Sequence, residues 1–157
     1  MREPELASDF REELLLALRS ELGARSLYPW LARRAREPEL VEVLSQFAKD
    51  TDVQVSQLRQ LMVGLGCVAP ERSRRRALAS VLIALLTVFF GLRFALRLCV
   101  DAEETVARWY ERFAHRFAAE GRIELARRVE PWGQAKRRHA DVLRAFLAHS
   151  RQAGGDF

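Results

Sequence analysis

The sequence has few residues of several types, and each shortage narrows what the protein can be. Among its 157 residues are two cysteines, Cys67 and Cys99, which stand alone without the spacing of a metal motif. We interpret them as small buried thiols in a reducing compartment. Residues 1–10 are acidic and contain proline but no apolar run, which does not suit a signal peptide. These features predict a cytoplasmic protein.

Familiar catalytic motifs are also missing. The sequence has no nucleophile elbow, phosphate-binding loop or thiol metal motif, so nothing in it supports the chemistry of those sites. Only two of its 26 basic residues are lysines, Lys49 and Lys136, and the net charge is +5. Acidic residues are interspersed with the basic ones over most of the chain. The charge therefore permits attraction to anionic partners without requiring it, and we expect no nucleic-acid partner.

The apolar residues recur at helical spacing. We predict an all-α protein, an antiparallel four-helix bundle in one domain over 9–150, with flexible tails at 1–8 and 151–157. Asp9 and Glu12 have the spacing of a capping box at the start of the first helix. The predicted helices are helix 1 over 10–35, helix 2 over 38–66, helix 3 over 91–120 and helix 4 after Gly121.

An apolar segment, 77–92, lies between helices 2 and 3. As one helix, the proline-free stretch 72–121 would be about 75 Å long, so we predict a break at Gly91 and a short extra apolar helix before it. The apolar segment is shorter than the roughly 20 residues that span a bilayer, yet a bundle covers only one side of it. We expect a homodimer contact or a peripheral contact with an anionic membrane, unless the helix folds back and is buried. The residues expected at this contact are Arg74, Arg75, Arg76, Leu82, Leu85, Phe89 and Phe90.

A repeated polar motif interrupts the apolar stripes of helices 1 and 3. Glu21 precedes Tyr28 by seven residues, and Glu103 precedes Tyr110 by the same spacing. A carboxylate that faces a core requires a cation or hydrogen-bond donors, and counting residues from each predicted turn brings such partners to the same height. The predicted polar layer contains Glu21, Thr51, Gln54, Glu103, Lys136 and His139, with Tyr28 and Tyr110 beside it.

This layout resembles the ferritin-like carboxylate bundles, in which two helices each supply a glutamate and two others each supply a Glu-x-x-His pair. The order of features is most similar to the demethoxyubiquinone hydroxylase family and to small bacterial ferritin-like proteins, on the segments 21–28, 36–40 and 102–104 and on Tyr110. The resemblance covers about 10–147. It implies a bundle that, in intact members, holds two metal ions to activate dioxygen or oxidise iron, and it favours membrane contact through the apolar segment.

The sequence departs from this family pattern where the pattern requires Glu-x-x-His. Helix 2 offers Thr51 and Gln54 at those places, and helix 4 offers Lys136 and His139. The side chains that keep the type of a metal ligand are Glu21, Glu103 and His139. Three ligands are too few for two metal ions. We predict that Lys136 replaces the metal as counter-ion of one or both glutamates, while the other polar side chains of the layer complete the hydrogen bonds.

Simpler interpretations of these residues exist. Lys136 can extend past Trp132 to solvent, as helical lysines usually do. His139 can be an ordinary core histidine, since its family partner is missing. Asp50 and Asp52 flank the layer, and their helical phase aims them at solvent rather than at a metal.

Three functions are compatible with the sequence. We favour a ferritin-like protein with an eroded dimetal site, without catalytic activity or cofactor, in a binding or structural role. The alternative is a di-iron type oxidoreductase or iron-handling protein whose iron is bound by Glu21, Glu103 and His139. The third is a membrane-associated bundle that holds an apolar ligand between its helices.

Overall fold

Four α-helices form the described part of the chain, which contains no strand. The computed structural model describes the backbone of residues 8–68 and 74–152 and the side chains of residues 9–68 and 90–149. The helices are α1 (Ser8–Ala32), α2 (Pro38–Gly64), α3 (Arg74–Ala119) and α4 (Ile123–Gln152). The all-α prediction is confirmed for these residues, and the packing of the helices is consistent with a bundle.

The helix ends differ from the predicted bounds by a few residues. α1 begins at Ser8, so Asp9 lies in its first turn rather than at the predicted cap. α1 ends three residues before the predicted limit, and α4 continues to Gln152, two residues into the segment predicted as a tail. The rest of both predicted tails lies outside the described residues.

Glycine ends α2 by a specific hydrogen-bond pattern. Gly66 has φ of 70°, a left-handed conformation that other residues adopt at a cost. Its N–H donates to the Val63 carbonyl at 3.0 Å, and the N–H of Cys67 donates to the Met62 carbonyl at 2.8 Å. These are the two bonds of a Schellman motif. The same pair of bonds occurs at Gly121, where the chain turns from α3 into α4.

Gly91 interrupts α3, as the sequence predicts. Its φ of 82° and ψ of 167° are not helical, so the helical residues before it form a separate segment from those after it. Phe90, next to the break, is 63% exposed. The other side chains predicted to contact a membrane or a second subunit, those of Arg74, Arg75, Arg76, Leu82, Leu85 and Phe89, lie outside the described side chains. In the part of the chain that is described, no helix has the length and apolar character needed to cross a membrane.

The core consists of two apolar clusters with a polar layer between them. Cluster A contains Phe10, Leu14, Leu18, Leu58, Leu61, Tyr110, Phe113, Phe117, Val129 and Trp132, among others. Cluster B contains Tyr28, Leu31, Leu40, Leu44, Phe47, Leu92, Leu96, Cys99, Leu143 and Leu147, among others. Each helix passes from one cluster through the polar layer to the other. The order reverses from α1 to α2 and from α3 to α4, whereas α2 and α3 both run from cluster B to cluster A. The polar layer is therefore enclosed by apolar side chains at both ends.

The helices do not pack equally tightly. α3 packs extensively against α4, and α1 against α2, whereas α1 and α3 have a smaller contact and the backbones of α2 and α4 approach each other closely at few points. The looser contact between α1 and α3 is where a cavity opens beside the polar layer.

Candidate functional site: a buried ion-paired layer

Lys136 lies between two buried glutamates. Its Nζ is 2.8 Å from Oε2 of Glu21 and 3.4 Å from Oε2 of Glu103. None of the three side chains is more than 4% exposed. The predicted pairing of Lys136 with the glutamates is therefore present with both of them, and the lysine does not extend past Trp132 to solvent.

Two tyrosines donate hydrogen bonds to these glutamates in a reciprocal pattern. The hydroxyl of Tyr110, on α3, donates to Oε1 of Glu21, on α1, at 2.8 Å. The hydroxyl of Tyr28, on α1, donates to Oε1 of Glu103, on α3. Tyr110 belongs to cluster A and Tyr28 to cluster B, so the two tyrosines approach the layer from opposite sides. The Glu-to-Tyr spacing repeated in the sequence thus produces a crossed pair of hydrogen bonds between α1 and α3.

His139 lies between two carboxylates on the other side of Glu103. Its Nδ1 is 3.3 Å from Glu103 Oε2, and its Nε2 is 3.2 Å from Asp50 Oδ2. The ring stacks on Phe47, with centroids 3.9 Å apart. Asp50 was predicted to point only to solvent, but it is half-buried and contacts the histidine, so this prediction was incomplete. Asp52 forms a surface ion pair with Arg25.

Thr51 and Gln54 lie in the layer as predicted and differ in their hydrogen bonds. The Thr51 hydroxyl donates to the Phe47 carbonyl of its own helix at 2.7 Å. A threonine in a helix often bonds to the carbonyl four residues earlier, because that acceptor is always within reach. The Gln54 side chain lies against the Tyr110 hydroxyl. Among the described residues, Gln54 Nε2, Glu103 Oε2 and His139 Nδ1 have no well-aligned hydrogen-bond partner. Both glutamates thus share the ammonium of Lys136, and the hydrogen bonding of the layer is incomplete.

The two glutamates have opposite pKa shifts. Burial raises the pKa of Glu21, although Lys136 opposes this effect. Burial also acts to raise the pKa of Glu103, but the nearby Lys136 and His139 outweigh it and lower this pKa. Burial acts to lower the pKa of Lys136, but the two carboxylates raise it. Lys136 therefore stays an ammonium and Glu103 a carboxylate at neutral pH.

Burial also raises the pKa of both tyrosines well above the usual value. The nearest carboxylate adds to this effect, which is Glu103 for Tyr28 and Glu21 for Tyr110. Both hydroxyls therefore remain protonated and able to donate. The same two causes, burial and the charge of Glu103, raise the pKa of the Cys99 thiol to about 12. Cys67 and Cys99 are both buried and free, in agreement with their predicted role as small core residues.

A cavity of about 190 Å³ opens between α1 and α3 and reaches the ion-paired residues. Its walls are mostly apolar, and small residues at the contact between the two helices leave the space. The buried ionic residues Glu21, Glu103 and Lys136 lie at its inner end. The rest of its lining includes Arg19, Ser20, Gly23, Ala24 and Leu27 on α1 and Leu98, Cys99 and Ala102 on α3. The helical pattern of the sequence did not predict this cavity. The signal for it is the pair of small residues beside the glutamates, Gly23 and Ala102.

Comparisons with protein-family models, with curated proteins and with solved structures gave no match for this chain. The resemblance to ferritin-like bundles therefore stays a prediction. Within residues 9–68 and 90–149, no group of three or more histidine, cysteine, aspartate or glutamate side chains is arranged to hold a metal ion.

Proposed function

We propose that this protein is an antiparallel, ferritin-like four-helix bundle whose layer of metal ligands has become a layer of ion pairs, and that it acts by binding rather than by metal-dependent catalysis. The observation that carries this proposal is the position of Lys136 Nζ, 2.8 Å and 3.4 Å from the carboxylates of Glu21 and Glu103. The reversal of cluster order from α1 to α2 and from α3 to α4 supports an antiparallel arrangement within each of these two pairs.

The chemistry of the donor set supports an ammonium in place of a metal. An ammonium has three N–H donors and no lone pair, so Lys136 competes with a metal for the carboxylate oxygens instead of adding a ligand. Its positive charge would also repel a divalent cation across a low-dielectric interior. Thr51 and Gln54 supply no charge on the α2 side. These residues do not fit a dinuclear metal centre, and we derive no chemistry through one.

One further observation favours the alternative of a metal-dependent protein. His139 contacts both Asp50 and Glu103, so Asp50 supplies a carboxylate near the place where the family pattern has one. Such a site would need Lys136 to leave the two glutamates. Metal binding by the unaltered protein therefore separates the two functions.

The test is anaerobic titration with Fe(II) and Mn(II), followed by calorimetry and by metal analysis after gel filtration. We expect no stoichiometric uptake by the wild type. Lys136→Glu, which restores a carboxylate at this position, should bind metal more tightly than the wild type. Lys49→Glu is the matched control, because Lys49 is the other lysine of the sequence and is exposed on α2. Uptake of two equivalents by the wild type would refute the proposal.

A further inference from the structure

The cavity between α1 and α3 connects the surface with the ion-paired layer. We propose that it binds a small amphipathic amine, whose ammonium group contacts the carboxylates of Glu21 and Glu103 and whose apolar part lies between the two helices. This inference rests on the proposed function, because it requires that the carboxylates are not occupied by metal ions.

The balance of charge in the layer favours a cationic ligand. Two buried carboxylates, Glu21 and Glu103, reach the cavity, and they share one ammonium, that of Lys136. His139 is not a counter-ion of the two glutamates alone, because it lies between Glu103 and a further carboxylate, Asp50. Negative charge in excess of its buried counter-ion is unfavourable in a low dielectric. A second ammonium at the inner end of the cavity would neutralise it.

An incompletely satisfied acceptor beside the cavity points to the same ligand. Glu103 is 3% exposed, and its Oε2 lies 3.4 Å from Lys136 Nζ and 3.3 Å from His139 Nδ1 without a well-aligned hydrogen bond to either. Its Oε1 already accepts the Tyr28 hydroxyl. A buried carboxylate oxygen is stabilised by a donor, and charged donors form the strongest hydrogen bonds. The ammonium of an amine supplies three such donors.

The walls of the cavity define the rest of the ligand. Leu27 on α1 and Leu98 on α3 form its apolar sides, and Ala24 and Ala102 leave room between them. Arg19 is the other cation on the lining, but it is exposed, and water screens its charge. The space of about 190 Å³ suits a single ring or a short alkyl chain. The expected ligand class is thus a small primary amine with an apolar body.

Three probes of similar size and different charge test this inference. Benzylamine, benzyl alcohol and benzoate are titrated into the full-length protein, and binding is followed by calorimetry and by amide chemical shifts. Benzylamine should bind at least about tenfold more tightly than the other two, since it alone adds a charged donor. Glu103→Gln should remove this preference. Equal or tighter binding of the alcohol or of benzoate would overturn the proposal.

A second variant keeps the test independent of the ion-paired layer. A Cβ added at Gly23 meets no atom within 4 Å, so Gly23→Leu places a side chain in the cavity without a clash at its base. Gly64→Leu is the matched control, because an added Cβ at Gly64 also meets nothing and Gly64 does not line the cavity. Gly23→Leu should weaken benzylamine binding at least about tenfold, and Gly64→Leu should leave it unchanged. Unchanged binding in Gly23→Leu would place the ligand elsewhere and refute the inference.

The metal titration of the same wild-type sample distinguishes the two proposals. If neither metal nor benzylamine binds, the amine site is refuted and the ion-paired layer stands. If two metal equivalents bind, the proposed function is refuted whatever the amine does.

Discussion

The helix pairs α1–α2 and α3–α4 contribute the same acidic motif to the polar layer, but the second helix of each pair contributes different side chains. α1 and α3 each carry a glutamate and, seven residues later, a tyrosine that reaches the glutamate of the other helix. α2 and α4 do not correspond in this way. α4 supplies the ammonium of Lys136 and the imidazole of His139, whereas α2 supplies the neutral Thr51 and Gln54 at the same depth. The two glutamates are arranged symmetrically, but their cationic or potentially cationic neighbours come from α4 alone.

This asymmetry explains why two similar glutamates differ electrostatically. Glu103 has two cationic or potentially cationic neighbours, Lys136 and His139, and its pKa is lowered. Glu21 has Lys136 alone, and burial raises its pKa. The comparison of the two helix pairs teaches that the neighbours supplied by α4, rather than the acidic motif itself, make the pKa shifts of the two glutamates differ in direction. Substitutions in the polar layer can break this asymmetry or make it measurable.

The largest effect is expected from removing the single buried ammonium. Lys136→Met leaves Glu21 and Glu103 buried without their cation, and should lower the free energy of unfolding by about 3–5 kcal/mol. Urea denaturation at neutral pH measures the loss. Lys49→Met, at the exposed lysine of α2, should change stability by less than about 0.5 kcal/mol.

A combined variant identifies the cause of that loss. Adding Glu21→Gln and Glu103→Gln to Lys136→Met makes the layer neutral, so most of the lost stability should return. A loss that persists in the combined variant would show that packing of the lysine, and not its charge, stabilises the core.

The next largest effect concerns the crossed hydrogen bonds. Tyr28→Phe and Tyr110→Phe each remove one donor from a buried carboxylate, and bonds to charged groups contribute about 1.5–3 kcal/mol. We expect Tyr28→Phe to cost more, because its acceptor Glu103 has the lowered pKa and carries the fuller negative charge. Denaturation of both variants under one condition gives the comparison. An equal or reversed order would mean that the two halves of the layer are electrostatically equivalent.

The dependence of stability on pH should separate the two glutamates. Glu103, with its pKa lowered on folding, stabilises the protein above the ordinary glutamate pKa, and this stability is lost as pH falls through its folded pKa. Glu21 has the opposite effect on stability, because its raised pKa means that the folded state binds the proton more tightly. Stability therefore declines as pH rises from the ordinary glutamate pKa through the folded pKa of Glu21. The two effects thus occur in adjacent pH windows.

Substitution by glutamine assigns each window. Glu103→Gln should remove the rise of stability with pH below the ordinary glutamate pKa, and Glu21→Gln should remove the decline above it. Chemical denaturation at a series of pH values measures both slopes. On the alkaline side, Lys136 should lose its contribution as pH rises through its raised pKa. Identical profiles for the two glutamine variants would contradict the assignment.

The polar layer was predictable from the sequence because its residues break an otherwise apolar helical pattern. Glu21, Glu103 and Lys136 each occupy a core position, and counting from the turns placed them at one height. The glycines that end or interrupt helices, Gly66 and Gly91, were predictable for a similar reason, since their left-handed conformation favours glycine. Such features depend on local sequence and on the length of each helix.

Other features of the site depend on side-chain orientation and on the distance between helices, which the sequence pattern does not encode. Thr51 bonds to the Phe47 carbonyl of its own helix at 2.7 Å, an acceptor that a threonine in a helix can reach whatever lies across the layer. Asp50 reaches His139 although its helical phase predicts a solvent-facing side chain. The cavity exists because α1 and α3 pack less closely than α3 and α4, and no residue count gives that separation.

The smallest expected effect tests this difference in helix spacing directly. Gly133 lies where α4 approaches α3, and a Cβ added there would be 3.3 Å from the Ala107 carbonyl oxygen and 3.3 Å from Cγ of Glu111. Gly23 faces the cavity, and a Cβ there meets nothing within 4 Å. Since alanine is favoured over glycine inside a helix, Gly23→Ala should stabilise the protein by about 0.5–1 kcal/mol.

Gly133→Ala gains the same helical preference but must displace backbone in a close contact, so its net effect should be smaller than that of Gly23→Ala or destabilising. Parallel urea denaturation of the two variants measures the difference. If both variants gain equally, α4 can move away from α3 at little cost, and the contrast between a tight and a loose helix contact is wrong. If only Gly23→Ala gains, the space beside the buried acids is a lasting part of the fold and remains available to a ligand.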